Sequence, residues 1–311
     1  MSKIFRAHIA LFLVNALYGV NHVVAKDVMS GEMKPNAFIF FRATGAVILF
    51  WIVKMLFVKE KVARKDLLLM ALCGLFGVAL NQLFFFNGLN LTSSINTGII
   101  MTVNPILVVI LSYLILKEKV TWRKSVGILI GATGAILLTL TGASGVADSA
   151  IGDLFVFINA ASYAMYLVLV KPLMSRYKPV TVITYVFTFG LLYVALYPPA
   201  LLEVSSMDFS AITANQYGVI AFVIVGVTFL TYLLTVYGLQ YVSPSVSSAY
   251  IYLQPVLVMF FAVFFSAMGW AEDYTDSISW EKIGYMLLIF IGVFLTGSGA
   301  FFKKKEGVAV N

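Results

Sequence analysis

Two hexapeptides, TVNPIL from Thr102 and YLQPVL from Tyr252, put a proline in the middle of an apolar run, each directly after an amide side chain, Asn104 or Gln254. A proline inside a helix removes one main-chain bond and frees the carbonyl four residues back, here those of Met101 and Ile251. At membrane depth such carbonyls persist only where protein or a water-lined cavity satisfies them. Pro105 and Pro255, with Asn104 and Gln254, are therefore candidate ligand-binding or gating residues. The competing reading is packing alone: the prolines bend two helices, and the amides hydrogen-bond between helices.

Other polar residues recur at helical spacing, so each set shares one face. The first helix offers Asn15, Tyr18 and His22; the fourth Thr97, Met101 and Asn104; the sixth Asn159, Tyr163 and Tyr166. The eighth adds Thr228, Thr231, Tyr232 and Thr235, and the ninth Ser247, Ile251 and Gln254. Facing lipid these groups would be costly, so they should point inward, where amides, hydroxyls and phenols beside aromatics suit a small zwitterionic or weakly polar solute. Asn81 and Gln82 in the third helix fit a cavity or interhelical bonds equally, whereas Phe84, Phe85 and Phe86 read as packing or lipid-facing residues. Arg42 is the one Lys or Arg well inside an apolar stretch, which makes it a functional candidate for anion recognition or gating. It lies near one helix end, so snorkelling or structural pairing is the alternative. His22 could titrate near neutral pH or serve as a hydrogen-bonded structural residue.

The elements that must position these residues follow from composition. Hydrophobic residues make up 61% of the 311 and charged residues 11%, and the mean hydropathy is +0.97; such a chain is an all-α, polytopic membrane protein. A bilayer core about 30 Å thick needs about 20 apolar residues per helix. Ten stretches qualify, at 7–27, 36–58, 66–87, 94–116, 122–142, 152–172, 179–199, 215–238, 244–267 and 281–301. The N-terminal stretch runs on without a small-residue cleavage site and is read as a retained first helix. Short connections leave no room for a soluble catalytic module.

Orientation follows from loop charge, since cytoplasmic loops carry the excess of Lys and Arg. With a cytoplasmic N-terminus, seventeen of the 21 Lys and Arg fall inside and three outside, with Arg42 in a span. Both termini are thus expected in the cytoplasm. The net charge of +7 is a topology signal and gives no support for nucleic-acid binding. No Asp or Glu falls in the middle of a stretch, which disfavours proton-coupled antiport of cations. Two histidines and one cysteine, Cys73, supply no convergent catalytic set, metal cluster or disulfide, so neither an enzyme nor a cofactor is expected.

The ten stretches read as one five-helix plan written twice. Tyr18, Lys26 and Met29 align with Tyr163, Lys171 and Met174 at an offset of 145, Pro35 with Pro179 at 144, and Gly88, Leu89, Asn104, Pro105 and Leu107 with Gly238, Leu239, Gln254, Pro255 and Leu257 at 150. An odd number of crossings per copy inverts the second copy, an architecture of transporters that places the solute at the repeat interface. The expected units are 1–143 and 151–302, followed by a basic cytoplasmic tail at 303–311.

The segment NTGIIMTVNPILVVILSYLILKEKVTWRKSVGILIGATGAILLTLTG, with Pro105, Glu118, Gly127, Gly131 and Gly134, resembles the EamA domain of the drug/metabolite transporter superfamily, ten-helix type. In the second copy FFSAMGWAEDYTDSISW replaces SYLILKEKVTW, so nothing there is equated with Glu118. The resemblance implies a carrier in a bacterial inner membrane with a central cavity, moving small metabolites or amino acids, often outward. Its partners would be a small-molecule solute and the bilayer, with a homodimer left open. The alternatives are a carrier of nucleotide sugars or phosphorylated metabolites, and a non-transporting membrane sensor or scaffold.

Overall fold

The computed structural model describes residues 2–24, 33–92, 94–140, 149–269 and 280–306, except for the side chains of 22–24, 94–96, 99, 262 and 298–306. Those residues fold into helices and turns, with no strand among them. The helices are α1 Lys3–Val24, α2 Pro35–Phe57, α3 Arg64–Leu89, α4 Ser94–Met101, α5 Asn104–Leu116, α6 Trp122–Leu140 and α7 Ala150–Val170. They continue with α8 Pro179–Ala195, α9 Pro198–Ser205, α10 Ala214–Tyr241, α11 Pro244–Ala249, α12 Gln254–Ala267 and α13 Trp280–Glu306. Among the described residues eight helices are long and apolar enough to cross a membrane, with α11 and α12 taken together as Pro244–Ala267, or nine if the bent pair α8–α9 counts as one crossing.

Four expected stretches differ in form, one of them 244–267, where a 3-10 turn at Tyr250–Leu253 separates α11 from α12 in front of Pro255. The stretch 94–116 is two helices, α4 and the 13-residue α5, separated at Thr102–Val103. The cause is local: Pro105 has no N–H to continue the ladder, and it sits at the N-terminal turn that tolerates proline. The stretch 179–199 ends at Ala195, and the chain bends by 77° into α9, because Pro198 and Pro199 open a new helix there. At the other end α13 continues through Lys303–Lys305 to Glu306, where cations suit a helix C-terminus. Lys26, Met29 and residues 307–311 of the expected tail lie outside the described residues.

Two further interruptions have no proline. A π-helical turn at Leu75–Leu80 divides α3, and another at Val223–Leu230 divides α10. The helical starts also match: Lys34 (φ −68°, ψ 151°) and Lys178 (φ −67°, ψ 146°) cap α2 and α8 in the same extended conformation, with proline just inside.

Packing is reciprocal. Helix α1 packs on α10 and α12, while α7 packs on α3 and α5; α2 pairs with α8, and α6 with α13. Between helices in lipid the hydrophobic effect adds little, so close approach must hold them. A Cβ on Gly292 of α13 would lie 2.5 Å from the Gly131 nitrogen and 2.6 Å from the Gly127 oxygen of α6, which is why only glycine fits at that crossing. Large apolar side chains such as Ile48, Met55, Leu129, Phe264 and Phe294 are exposed, forming the apolar exterior that a multi-pass membrane protein turns to lipid.

Charges gather at the two ends of the bundle. At one end Arg176 and Tyr177 hold Asp66, the latter through its hydroxyl at 2.7 Å, and the Lys178 N–H donates to Glu60 at 3.0 Å. There too Lys124 pairs with Glu118, whose second oxygen accepts from Ser245 at 3.1 Å, and the Lys171 ammonium donates to the Leu239 and Val242 carbonyls at the end of α10. At the other end Glu203 accepts from the Asn36 and Ala37 N–H groups at 2.8 and 3.0 Å, a carboxylate on the unpaired donors of the α2 N-terminus. Thr92 donates to Asp153 at 2.5 Å at that same end.

Candidate functional site

The polar faces of α1, α3, α7 and α10 converge. Tyr232 of α10 donates to the Gly77 carbonyl at 2.9 Å, with the Asn81 side-chain oxygen 3.4 Å away. That carbonyl is available because Gly77 lies in the π-turn of α3, where the regular ladder is displaced. The same glycine lets the Tyr166 ring approach, since a Cβ there would stand 2.4 Å from a ring carbon. Tyr166 in turn packs beside Tyr163 and Tyr232, with ring centroids 5.9 and 6.2 Å apart. Thr231 reaches the Tyr18 hydroxyl at 3.4 Å.

Arg42 of α2 enters this group from the Asn36–Glu203 end. Its Nε donates to the Thr228 hydroxyl at 3.1 Å, and that hydroxyl donates at 2.9 Å to the Val223 carbonyl at the π-turn of α10. Phe38 and Phe86 flank the guanidinium, with centroids at 5.4 and 5.2 Å. Only 6% of Arg42 is exposed, so the side chain turns inward and does not snorkel to the bilayer surface. Phe86 therefore serves the polar group as well as the core, a role that its place in a phenylalanine run conceals.

Two amide contacts extend the group. Asn159 of α7 donates to the Asn81 carbonyl at 2.7 Å, and Asn104, at the start of α5, donates to the Ala160 carbonyl at 2.6 Å. Each bond fixes its amide and leaves Oδ1 turned away; both oxygens are buried and unpartnered. The Tyr166 hydroxyl is also buried without a partner, and Gln82 lies beside Tyr232 with neither amide atom in bonding geometry. An unpaired buried polar group costs about 1–3 kcal/mol, and four such residues lie in this region.

A second contact joins α1 to α12: Gln254 donates to Asn15 at 3.1 Å, and Asn15 donates to the Leu11 carbonyl at 2.8 Å. The two proline hexapeptides meet directly, because the Tyr252 hydroxyl donates to the Thr102 carbonyl at 3.2 Å, beside the break in front of α5. Pro105, Met101 and Thr97 lie on one broken segment, and Pro255, Ile251 and Ser247 on the other; Thr97, Pro105 and Ser247 are buried and the rest half-buried. The structure thus groups Tyr18, Arg42, Asn81, Asn159, Tyr163, Tyr166, Thr228 and Tyr232, with Asn15–Gln254 one helical turn along α1. The His22 side chain lies outside the described residues. The sequence reading missed the two π-turns and the contribution of Gly77 and Phe38, since no residue type announces a π-turn.

Comparison with known proteins assigns the fold to a family. The model of the EamA-like transporter family matches residues 5–140 and 150–298. This chain belongs to the EamA-like transporter family. Within it, the chain is 29% identical over 245 residues to the uncharacterized transporter YyaM of Bacillus subtilis (strain 168), covering 78% of this chain and 76% of that one. It is 26% identical over 244 residues to YetK of the same organism, also an uncharacterized transporter, covering 75% and 73%. A protein of known crystal structure superposes with a TM-score of 0.74 at 17% identity, over 94% of this chain and 97% of the other, a likeness of fold. The EamA-family chain is accordingly a multi-pass membrane transporter, and its family is one of transporters rather than enzymes. No group of three His, Cys, Asp or Glu that could hold a metal ion occurs among the described residues.

Proposed function

We propose that this EamA-family protein is a secondary carrier that exports small metabolites or amino acids by alternating access. The ten crossings would be the eight long helices, the bent α8–α9 and the broken α4–α5, arranged as two inverted five-helix repeats with both termini in the cytoplasm. The observation that carries this reading is the enclosed polar group on α1, α2, α3, α5, α7 and α10, whose Gln82, Asn104, Asn159 and Tyr166 atoms lack protein partners. Reciprocal packing of α1 and α7 supports it, because each would bridge to the opposite repeat, and so does the direct Thr102–Tyr252 contact between the proline segments. The solute would bind at the repeat interface, and rearrangement of the broken helices would expose it to one side at a time.

A carrier of nucleotide sugars or phosphorylated metabolites would need several buried cations for phosphate, and Arg42 is the one cation in this group. Uptake into reconstituted vesicles across a panel of amino acids and metabolites tests the reading, which fails if no member is moved faster than in protein-free vesicles. Orientation is tested separately by single cysteines in the Glu60–Lys178 and Asn36–Glu203 ends. Only the first should be labelled from the cytoplasmic side, and the native Cys73 is fully buried and gives little background.

A further inference from the structure

Two charged side chains are buried to under a tenth among the described residues, Arg42 and Asp66. Asp66 has its counter-charge in Arg176 and a second donor in Tyr177. Arg42 has no counter-charge among the described residues: its one hydrogen bond uses Nε, and the hydroxyl it meets belongs to Thr228. Neither Nη nitrogen has an acceptor among the described residues. The Thr228 hydroxyl, itself tied to Val223, holds the Nε edge, and the Phe38 and Phe86 rings flank the plane. A guanidinium fixed along one edge with its terminal fork open is an acceptor-seeking group of carboxylate geometry. The corresponding position in the second half, at the offset of 144, is Val186, which is fully buried in the core. The positive charge therefore belongs to one half of the site alone.

Resting on the carrier reading of this site, we propose that Arg42 is a carboxylate anchor and sets the carrier's selectivity for solutes bearing one carboxylate. A single cation balances a monoanion and leaves a phosphate dianion undercompensated. On α5 and α7 of the same group, Asn104 and Asn159 carry acceptor oxygens that lack donors, so a bound solute places its carboxylate at Arg42 and an N–H or O–H donor toward these amides. Thr228 is a positioning residue, acting through the guanidinium it orients.

The test uses the full chain in proteoliposomes. The probes are the twenty common amino acids and short monocarboxylates, each paired with its carboxamide, with inorganic phosphate as a further anion. The wild type should move at least one carboxylate ten-fold or more faster than its amide. Arg42→Gln should reduce that rate at least fifty-fold, and Arg42→Lys should retain a part of it. Arg42→Gln and Arg42→Met should elute as single species and melt at or above the unliganded wild type, because an uncompensated buried cation has been removed, and should lose the wild type's thermal shift with the transported carboxylate. Equal transport of acid and amide, or wild-type carboxylate flux in Arg42→Gln, would overturn the anchor while the carrier stands. A large fall in the melting temperature of both neutral variants would make Arg42 a structural residue and overturn it likewise. If no probe is moved by the wild type, the carrier reading falls and the anchor with it.

Discussion

Replacing Asn104 and Gln254 by leucine, one at a time, separates solute binding from helix packing because the structure assigns the two amides different costs. Asn104 is fully buried, donates one bond to Ala160 and carries an unpartnered Oδ1. A side-chain hydrogen bond between helices in lipid is worth about 0.6 kcal/mol on average and about 1.7 at most, and the unpaired oxygen that leucine removes was costing about 1–3 kcal/mol. The Ala160 carbonyl lies within α7 and keeps its helical partner, so Asn104→Leu should change stability by no more than about 1 kcal/mol. Gln254→Leu differs, because it strips the buried Asn15 oxygen of its donor and should cost about 1–3 kcal/mol; adding Asn15→Leu should recover part of that loss. The assay pairs reversible unfolding of purified protein in mixed micelles with initial uptake rates in proteoliposomes. Asn104→Leu should unfold like the wild type and lose at least ten-fold in uptake, equivalent to about 1.4 kcal/mol of lost solute interaction. Wild-type uptake in Asn104→Leu would refute its assignment to the site, and a loss of stability above about 3 kcal/mol would show that Asn104 is packing.

Three other perturbations test the scaffold. Gly77→Ala drives a methyl to 2.4 Å from the fully buried Tyr166 ring; overpacking of this kind costs about 1–3 kcal/mol, read as a lower unfolding free energy that Tyr166→Ala in the same chain partly relieves. Gly292→Ala meets backbone atoms of Gly127 and Gly131, which cannot swing aside as a side chain can, so the yield of monodisperse protein should fall more steeply than for Gly77→Ala. Lys171→Met removes the donor to the last carbonyls of α10 and should cost about 1 kcal/mol, with faster hydrogen exchange at the α10 C-terminus and unchanged exchange in α2.

Much of the architecture was legible because the bilayer imposes it. Apolar runs of span length located the long helices, and Pro105 and Pro255 marked two interruptions, since proline acts on the backbone wherever it lies. The Pro198–Pro199 bend was equally visible as a pair of residues, but its 77° change of direction merged with the apolar run that precedes it. The π-turns of α3 and α10 were not legible: their segments, LFGVAL and VIVGVTFL, read as ordinary helix, and the displaced ladder arises from what packs against it. Arg42 shows the limit in another way. Its position near a helix end allowed snorkelling, and only the inward path of α2 against α10 placed the guanidinium on Thr228.

By itself, then, the chain determined its solvent, its helices and the inventory of polar groups, because hydropathy, loop charge and proline chemistry act locally and need no partner. The tertiary structure decided which of those groups meet. The contacts Arg42–Thr228, Tyr232–Gly77, Asn159–Asn81 and Tyr252–Thr102 span 186, 155, 78 and 150 residues of sequence. No helical period carries information over such separations; the pairing is fixed by α1 and α7 each packing on helices far along the chain, and by glycines that let those helices close.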